Sequence, residues 1–430
     1  MPVLDLVIRN TSEVLTVQGK LGTTGDALLT PLPQGVIGIA KDRIVYLGSE
    51  SELPAGSLVQ ATQVVDAQGG FVGPGFVDPH THLVFAGERS SEFELRCRGA
   101  SYLDIARAGG GILSTVRATR ANSEDALVAL ALPRLRRLLE QGVTCAEVKS
   151  GYGLTLEDEL KILRVIRRLG LEQPITLVPT LLCAHAIPEE MREQRHRYVR
   201  LCVDEIIPAA SEAGLAKFCD VFVEQGAFTV AEGRRIFAAG VQAGLIPRVH
   251  ANQLGGSGGA LLAAEFAAAS ADHLEHVSGE EIKALAAAKV TAVLMPTTTV
   301  YLRQQPAAPG RELVDAGVSV ALGTNLNPGS AMSENVALTI GLACLQNSLS
   351  AAEAYWALTR GAALALRMPE YGRLTIGGPA DVVVFGSDGY RHLPYHLGIN
   401  HVKAVIKSGR VVADRLGNNG AICEPTQPVG

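Results

Sequence analysis

Pro79-His-Thr-His82 sets two imidazoles two residues apart, and on a β-strand residues at that spacing face the same side. Imidazole nitrogen is a good ligand for Zn²⁺ or Fe²⁺. With His250 and a polar residue from another strand end, the pair forms a three- or four-ligand metal constellation, the kind that activates water for hydrolysis. Two histidines lining a core is the weaker reading, because it ignores that set. Gly323-Thr-Asn-Leu-Asn-Pro-Gly-Ser330 follows the apolar run Val318–Leu322 and brings Asn325 to the place where a hydrolase of this type uses a carboxylate. An amide oxygen can ligate a metal, but it brings no charge and cannot take a proton. At this point Asn325 is a ligand, a missing base, or neither.

Further groups fall near the same place. Asp272-His-Leu-Glu-His276 offers His273 as a catalytic imidazole, against the reading of the whole segment as a structural ion-pair cluster, with His276 structural. Lys149 closes Glu147-Val-Lys-Ser150; a modified lysine bridging two metals is conceivable there, although the histidines suffice for one. Phe85-Ala-Gly-Glu-Arg89 follows the His pair, with Gly109-Gly-Gly111 as a flexible loop. Arg89 is placed to fork onto a substrate carboxylate, the bland alternative being a solvated surface Arg. Lys149-Ser-Gly-Tyr-Gly153 sets Tyr152 on a glycine-flanked turn.

Positioning these residues calls for a particular scaffold. Eight strand-like runs are legible: Gly75–Leu83, Thr144–Lys149, Ile175–Ala184, Phe218–Glu224, Pro247–Ala251, Ala269–Glu275, Thr291–Pro296 and Val318–Thr324. Helical patterns separate most of them, such as Leu156–Leu169 with Gly170 as its stop, and capping boxes at Ser278/Glu281 and Ser350/Glu353 open two more. The expected class is α/β, a (β/α)₈ TIM barrel over residues 73–367, since the G-x-G-x-x-G fingerprint of a doubly wound sheet is missing. Residues 1–72 and 368–430 alternate short β-rich runs with turns, and are expected to pair into one small β-sandwich-like domain built from both chain ends. Functional groups of such a barrel sit at the C-terminal ends of its strands. Six of the ten histidines (80, 82, 185, 250, 273 and 276) fall there, which supports the assignment.

Composition removes other classes. The 430 residues are 47% hydrophobic and 19% charged, with 38 basic against 43 acidic side chains, so neither a nucleic-acid nor a membrane surface is indicated. Seven cysteines, none in a C-x-x-C pair, fit reduced thiols in the cytoplasm. The N-terminal MPVLDLVIRNT lacks a basic region and is broken by Asp5, so it reads as a strand and not a signal peptide. No run of 18 apolar residues is available for a membrane span.

Together these stretches resemble the amidohydrolase superfamily and, more narrowly, the imidazolonepropionase family. PGFVDPHTHLVFAGERSSEFELR, GASYLDIARAGGGI, TCAEVKSGYGL, AHAIP, SADHLEH, NPGS and LPYHLGIN carry the resemblance over essentially the whole chain. It implies a cytoplasmic enzyme with one divalent ion, Zn²⁺ or Fe²⁺, that opens 4-imidazolone-5-propanoate to N-formimino-L-glutamate in histidine breakdown. By the same carry-over His80, His82 and His250 are metal ligands completed by Asn325. Arg89, Tyr152, His185, Gln253, Asn327, Gly329 and Ser330 hold a small substrate with a carboxylate, with Tyr102 as a companion. Catalysis falls to His273, Gln253 and Asn325: His273 polarises the ring carbonyl or moves the proton, and Gln253 orients the ring. The family pattern expected after the fifth strand is His-Ala-Asp-Glu, where this chain has His250-Ala-Asn-Gln253; after the eighth, Thr-Asp-x-Asn-Pro-Gly, where it has Thr324-Asn-Leu-Asn-Pro-Gly329. Three acids have become amides, which opens the identity of the base. A deaminase on another cyclic amide or amidine, or an impaired barrel serving as a binding protein, are the competing functions, and a homodimer is the expected assembly.

Overall fold

Eight parallel strands lie side by side in strict sequence order: β1 (Phe76–Asp78), β2 (Val143–Lys149), β3 (Thr176–Ala184), β4 (Phe218–Val223), β5 (Ile246–Ala251), β6 (Ser270–His273), β7 (Thr291–Leu294) and β8 (Val320–Leu322). The computed structural model describes residues 3–20, 22–23, 25–53, 61–100 and 110–416, and every structural statement concerns these. Each strand pairs in parallel with the next, as βα connections require. The ring shuts just past β1 and β8, where Thr81 bridges Leu326, the Asn325 N–H donates to His80 O at 3.0 Å and the His82 N–H donates to Leu326 O at 3.0 Å. Barrel closure and the candidate ligands therefore coincide.

Several strands are shorter than their apolar runs. β6 ends at His273 because His273 (φ 83°) and Leu274 (φ 70°) both enter the left-handed region, and Asn325 (φ 53°) does so after β8. That conformation is costly for a bulky residue, and such strain collects at functional sites. His276 consequently lies in the following loop and not on β6. The helix Leu156–Glu172, capped by the Thr155 hydroxyl, runs through Gly170 instead of stopping there, and its face of Ile162, Leu163, Ile166 and Leu169 packs into the core. The capping boxes at Ser278/Glu281 and Ser350/Glu353 are present.

Both chain ends build two further sheets. One holds Arg43–Ser49, Gly35–Ala40, Leu6–Arg9 and Gln63–Asp66; the other joins Glu13–Leu15, Pro31–Pro33 and Val72–Pro74 to Val382–Phe385, Val402–Lys407 and Arg410–Asp414. Leu6, Ile8, Ile37 and Ile39 from the first and Val14, Val72, Val382 and Ile406 from the second share one buried core, so the sheets pack as a sandwich.

Candidate metal centre and substrate pocket

At the C-terminal rim of the barrel the ring nitrogens of His80, His82 and His250 converge. His82 Nε2 lies 3.2 Å from His80 Nε2 and 3.3 Å from His250 Nε2, and the three donor atoms all fall within 4.8 Å of one another. Burial, reinforced by Lys149 near His80 and by His185 near His82, keeps these two rings well below the usual imidazole pKa. Being neutral, each ring has one N–H and one bare lone pair. His80 Nδ1 sits 2.6 Å from Asp272 Oδ2 and His250 Nδ1 sits 3.1 Å from Asp220 Oδ1, so both donate there and turn bare Nε2 atoms inward. The bare Nε2 atoms of His80 and His250 both face His82 Nε2, at 3.2 and 3.3 Å, and His82, whose Nδ1 has no partner among the described residues, can turn a third lone pair into the same space. Two nitrogens about 2.0–2.1 Å from a tetrahedral Zn²⁺ stand about 3.3 Å apart, so the donor set fits such an ion.

The floor under these histidines is charged and fully buried. Lys149 Nζ lies 2.8 Å from both Glu147 Oε1 and Asp220 Oδ2, and Arg248 Nη2 lies 3.0 Å from Asp272 Oδ2 and 2.7 Å from Pro79 O. Burial opposes ionisation of Asp220, but His250, Lys149 and Arg248 outweigh it and hold its carboxyl well below the usual range. Two carboxylates on Lys149 demand a protonated amine; a carbamate there would place three anions together. The bridging modified lysine is therefore replaced by an ion pair.

Asn325 reaches the pocket wall, with its Nδ2 donating to Thr298 Oγ1 at 2.9 Å and its Oδ1 accepting from Asn327 Nδ2 at 3.1 Å. Asn327 also organises the loop after it, accepting from the N–H groups of Gly329 (2.9 Å) and Ser330 (2.8 Å). His273 lines the same pocket, its ring centroid 5.4 Å from that of His250 and its Nδ1 3.7 Å from Glu275 Oε1. His276 is half-buried and off the pocket lining, tied to Asn252 through its backbone.

The amide at 252 has a structural reason. Its Nδ2 donates to both carboxylate oxygens of Glu281 at 3.1 Å, where an aspartate would repel, and its Oδ1 accepts from Ala260 N at 3.3 Å. Of the three amides, two therefore face the pocket: Gln253 and Asn325.

Arg89, Tyr152, His185, Gln253, Asn327, Gly329 and Ser330 all line one cavity with His82, His250 and His273; Tyr102 lies outside the described residues. The Arg89 side chain is largely covered, and Glu92 Oε2 takes its Nε (2.8 Å) and Nη2 (2.7 Å), while the other Glu92 oxygen accepts from Gly111 N at 3.1 Å. Nη1 is left beside Gly329, where any Cβ would overlap it. His185 donates from Nδ1 to Gly151 O at 3.0 Å, and burial with His250 nearby lowers its pKa to about 3. Its Nε2 is therefore a permanent acceptor.

Ile112, Phe222, Leu254 and Leu302, which make up the apolar wall, were not foreseen from the sequence, nor were Glu92, Asp220, Arg248 and Thr298. A usable signal existed for some. Glu147, Asp220 and Arg248 are charged residues inside otherwise apolar strands, two positions before Lys149, Phe222 and His250, and so face the same interior.

Comparison with known proteins follows this geometry. The chain matches the Amidohydrolase family over residues 105–413. It is 64% identical over 411 residues to the imidazolonepropionase of Myxococcus xanthus (strain DK1622), covering 96% of this chain and 98% of that one. It is 49% identical over 413 residues to the imidazolonepropionase of Anaeromyxobacter sp. (strain K), covering 96% of each. An adenosine deaminase from Xanthomonas campestris, solved with bound zinc, superposes with a TM-score of 0.70 at 16% identity, over 96% of this chain and 93% of that one, and shares the fold.

Proposed function

The chain belongs to the imidazolonepropionase family of the amidohydrolases, and we propose that His80, His82 and His250, completed by Asn325, hold one divalent ion, Zn²⁺ or Fe²⁺, at its active site. It is a carbon–nitrogen hydrolase that opens 4-imidazolone-5-propanoate to N-formimino-L-glutamate in histidine degradation. The observation that carries the metal reading is the convergence of bare Nε2 lone pairs whose other ring nitrogens are tied to Asp272 and Asp220. When bound, the ion supplies Lewis acidity and a water that ionises near neutral pH.

The rest is the work of side chains. Arg89 Nη1 takes the propanoate carboxylate, joined by Ser330 on the Asn327-ordered loop. Neutral His185 accepts a ring N–H at Nε2, and Gln253, which lines the same cavity, hydrogen-bonds the ring. Ile112, Phe222 and Leu302 exclude bulk water. Asn325 cannot accept the proton released in the attack. We assign that role to His273: with its Nδ1 toward Glu275, a bare Nε2 is left to accept the proton. Among the described residues no helix is long and apolar enough to cross a membrane. The unpaired cysteines favour a reducing compartment, for which we propose the cytoplasm, and a homodimer is the assembly we propose.

Metal analysis tests the base of this reading. Purified protein is expected to hold about one equivalent of zinc or iron, removable by a chelator. Protein that binds neither metal when offered both would sink it.

A further inference from the structure

The five ionic side chains beneath the ligand histidines are all fully buried: Glu147, Asp220, Asp272, Lys149 and Arg248. Formally they sum to −1. Burying such a set costs more than an apolar floor of the same volume, so retaining it calls for a task. Its contacts indicate the task, because each carboxylate ends on the ligand-bearing segments. Asp272 accepts from His80 Nδ1 and Asp220 from His250 Nδ1, while Glu147 Oε2 accepts the N–H of Thr81, between the first two histidines, at 3.1 Å. The cations hold those carboxylates in place: Arg248 takes the same Asp272 oxygen as His80 and also Pro79 O, and Lys149 ties Asp220 to Glu147.

Position 325 contributes no charge, its amide being engaged with Thr298 and Asn327. A carboxylate bonded to the far nitrogen of a ligating imidazole fixes its tautomer and raises its basicity, passing anionic character to the near nitrogen. Resting on the metal-centre reading above, we propose that Asp272 and Asp220, clamped by Arg248 and Lys149, are the positioning residues of this centre, supplying through His80 and His250 the negative charge that Asn325 does not bring. The histidines thus act as the anionic part of the ligand set.

The test is a metal titration and needs no turnover. Wild type, Asp272→Asn and Asp220→Asn are stripped with a chelator and titrated with Zn²⁺ against a chromophoric competitor. The metal-free melting temperature and circular dichroism of each establish that it is folded. Asp272 accepts through Oδ2 alone, so asparagine there can keep both bonds and isolates the charge, whereas Asp220→Asn also gives up a bond to His250 or Lys149 and serves as the companion variant. Wild type is expected to take up one equivalent, and each variant to bind about 10- to 100-fold more weakly. A folded variant within threefold of wild type overturns the inference while leaving the metal centre standing. Wild type that takes up no Zn²⁺ overturns the metal centre, and this inference with it. Should neither variant fold, metal-free wild type labelled with ¹⁵N-histidine decides. His80 and His250 are expected as Nδ1–H tautomers with strongly downfield, exchange-protected ring protons; Nε2–H tautomers for these two overturn the proposal.

Discussion

Replacing Arg89 by Met removes the guanidinium assigned to the substrate carboxylate, and the structure bounds how much that should cost. Arg89 does not offer a free fork. Glu92 occupies Nε and Nη2 at 2.8 and 2.7 Å, and Nη1 alone remains beside Gly329 and the cavity. One charge-assisted hydrogen bond is worth about 1.5–3 kcal/mol. At roughly 1.4 kcal/mol per factor of ten, the loss in kcat/KM is about 10- to 150-fold. The carboxylate lies at the far end of the substrate from the bond that breaks, so its contact is made equally in ground and transition states. The change is therefore expected in KM, with kcat within about threefold of wild type. The single variant also strands Glu92, whose remaining partners are Gly111 N and Ser114 Oγ. Arg89→Met/Glu92→Gln removes that side effect and should show the same KM. The assay is steady-state kinetics on 4-imidazolone-5-propanoate and on its propanamide analogue. The variant should lose most of the wild type's preference for the charged substrate, and turnover of the analogue should respond to the substitution by less than about threefold. An equal loss on both substrates, or a fall in kcat at constant KM, refutes the carboxylate role.

Other substitutions read other parts of the account. His273→Gln removes the proton acceptor and should lower kcat by about 10²–10⁴ in steady-state turnover, with KM nearly unchanged; a loss under tenfold moves the base elsewhere. Asn325→Asp keeps the surrounding bonds, because the Thr298 hydroxyl can turn from accepting to donating and Asn327 still donates. Zn²⁺ affinity is expected to rise roughly tenfold or more from the added anionic ligand. Turnover should change by less than about tenfold because His273 already takes the proton, and a hundredfold gain would return the base to position 325. Lys149→Met leaves Glu147 and Asp220 buried without their shared cation, and should destabilise the folded protein by about 3–5 kcal/mol in denaturant titration. An unchanged midpoint contradicts the ion-pair assignment of Lys149.

What the sequence disclosed about this site follows physical lines. His80, His82 and His250 were legible because barrel polarity gathers strand-end side chains at one rim; His250 lies on β5, but β1 ends at Asp78 and His80 and His82 follow it in the segment bridged through Thr81, so the first strand was read too long. Gln253 and the Asn327–Ser330 loop were legible through the resemblance, and the structure places them on the wall of the same cavity. The charged floor was not, since Glu147, Asp220, Arg248 and Asp272 come from four strands and meet only when the barrel closes. Asn252 read as a lost acid because its partner Glu281 lies on a later helix, and only the folded pair explains the amide. Strand ends were read too long at β6 and β8 because apolar runs carry no sign of the left-handed turns at His273, Leu274 and Asn325. Those turns carry His273 and Asn325, the groups proposed for the site, so local pattern failed at the rim of the cavity.

Site geometry and family converge on a barrel that opens the imidazolone ring at a metal-dependent site. Freshly prepared 4-imidazolone-5-propanoate, incubated with the purified protein while ring absorbance is followed, tests it most directly. Rapid loss of absorbance is expected, abolished by chelation and restored by Zn²⁺ or Fe²⁺, with N-formimino-L-glutamate as product. Undiminished absorbance with the metal-loaded protein, or release of ammonia in place of ring opening, would contradict it.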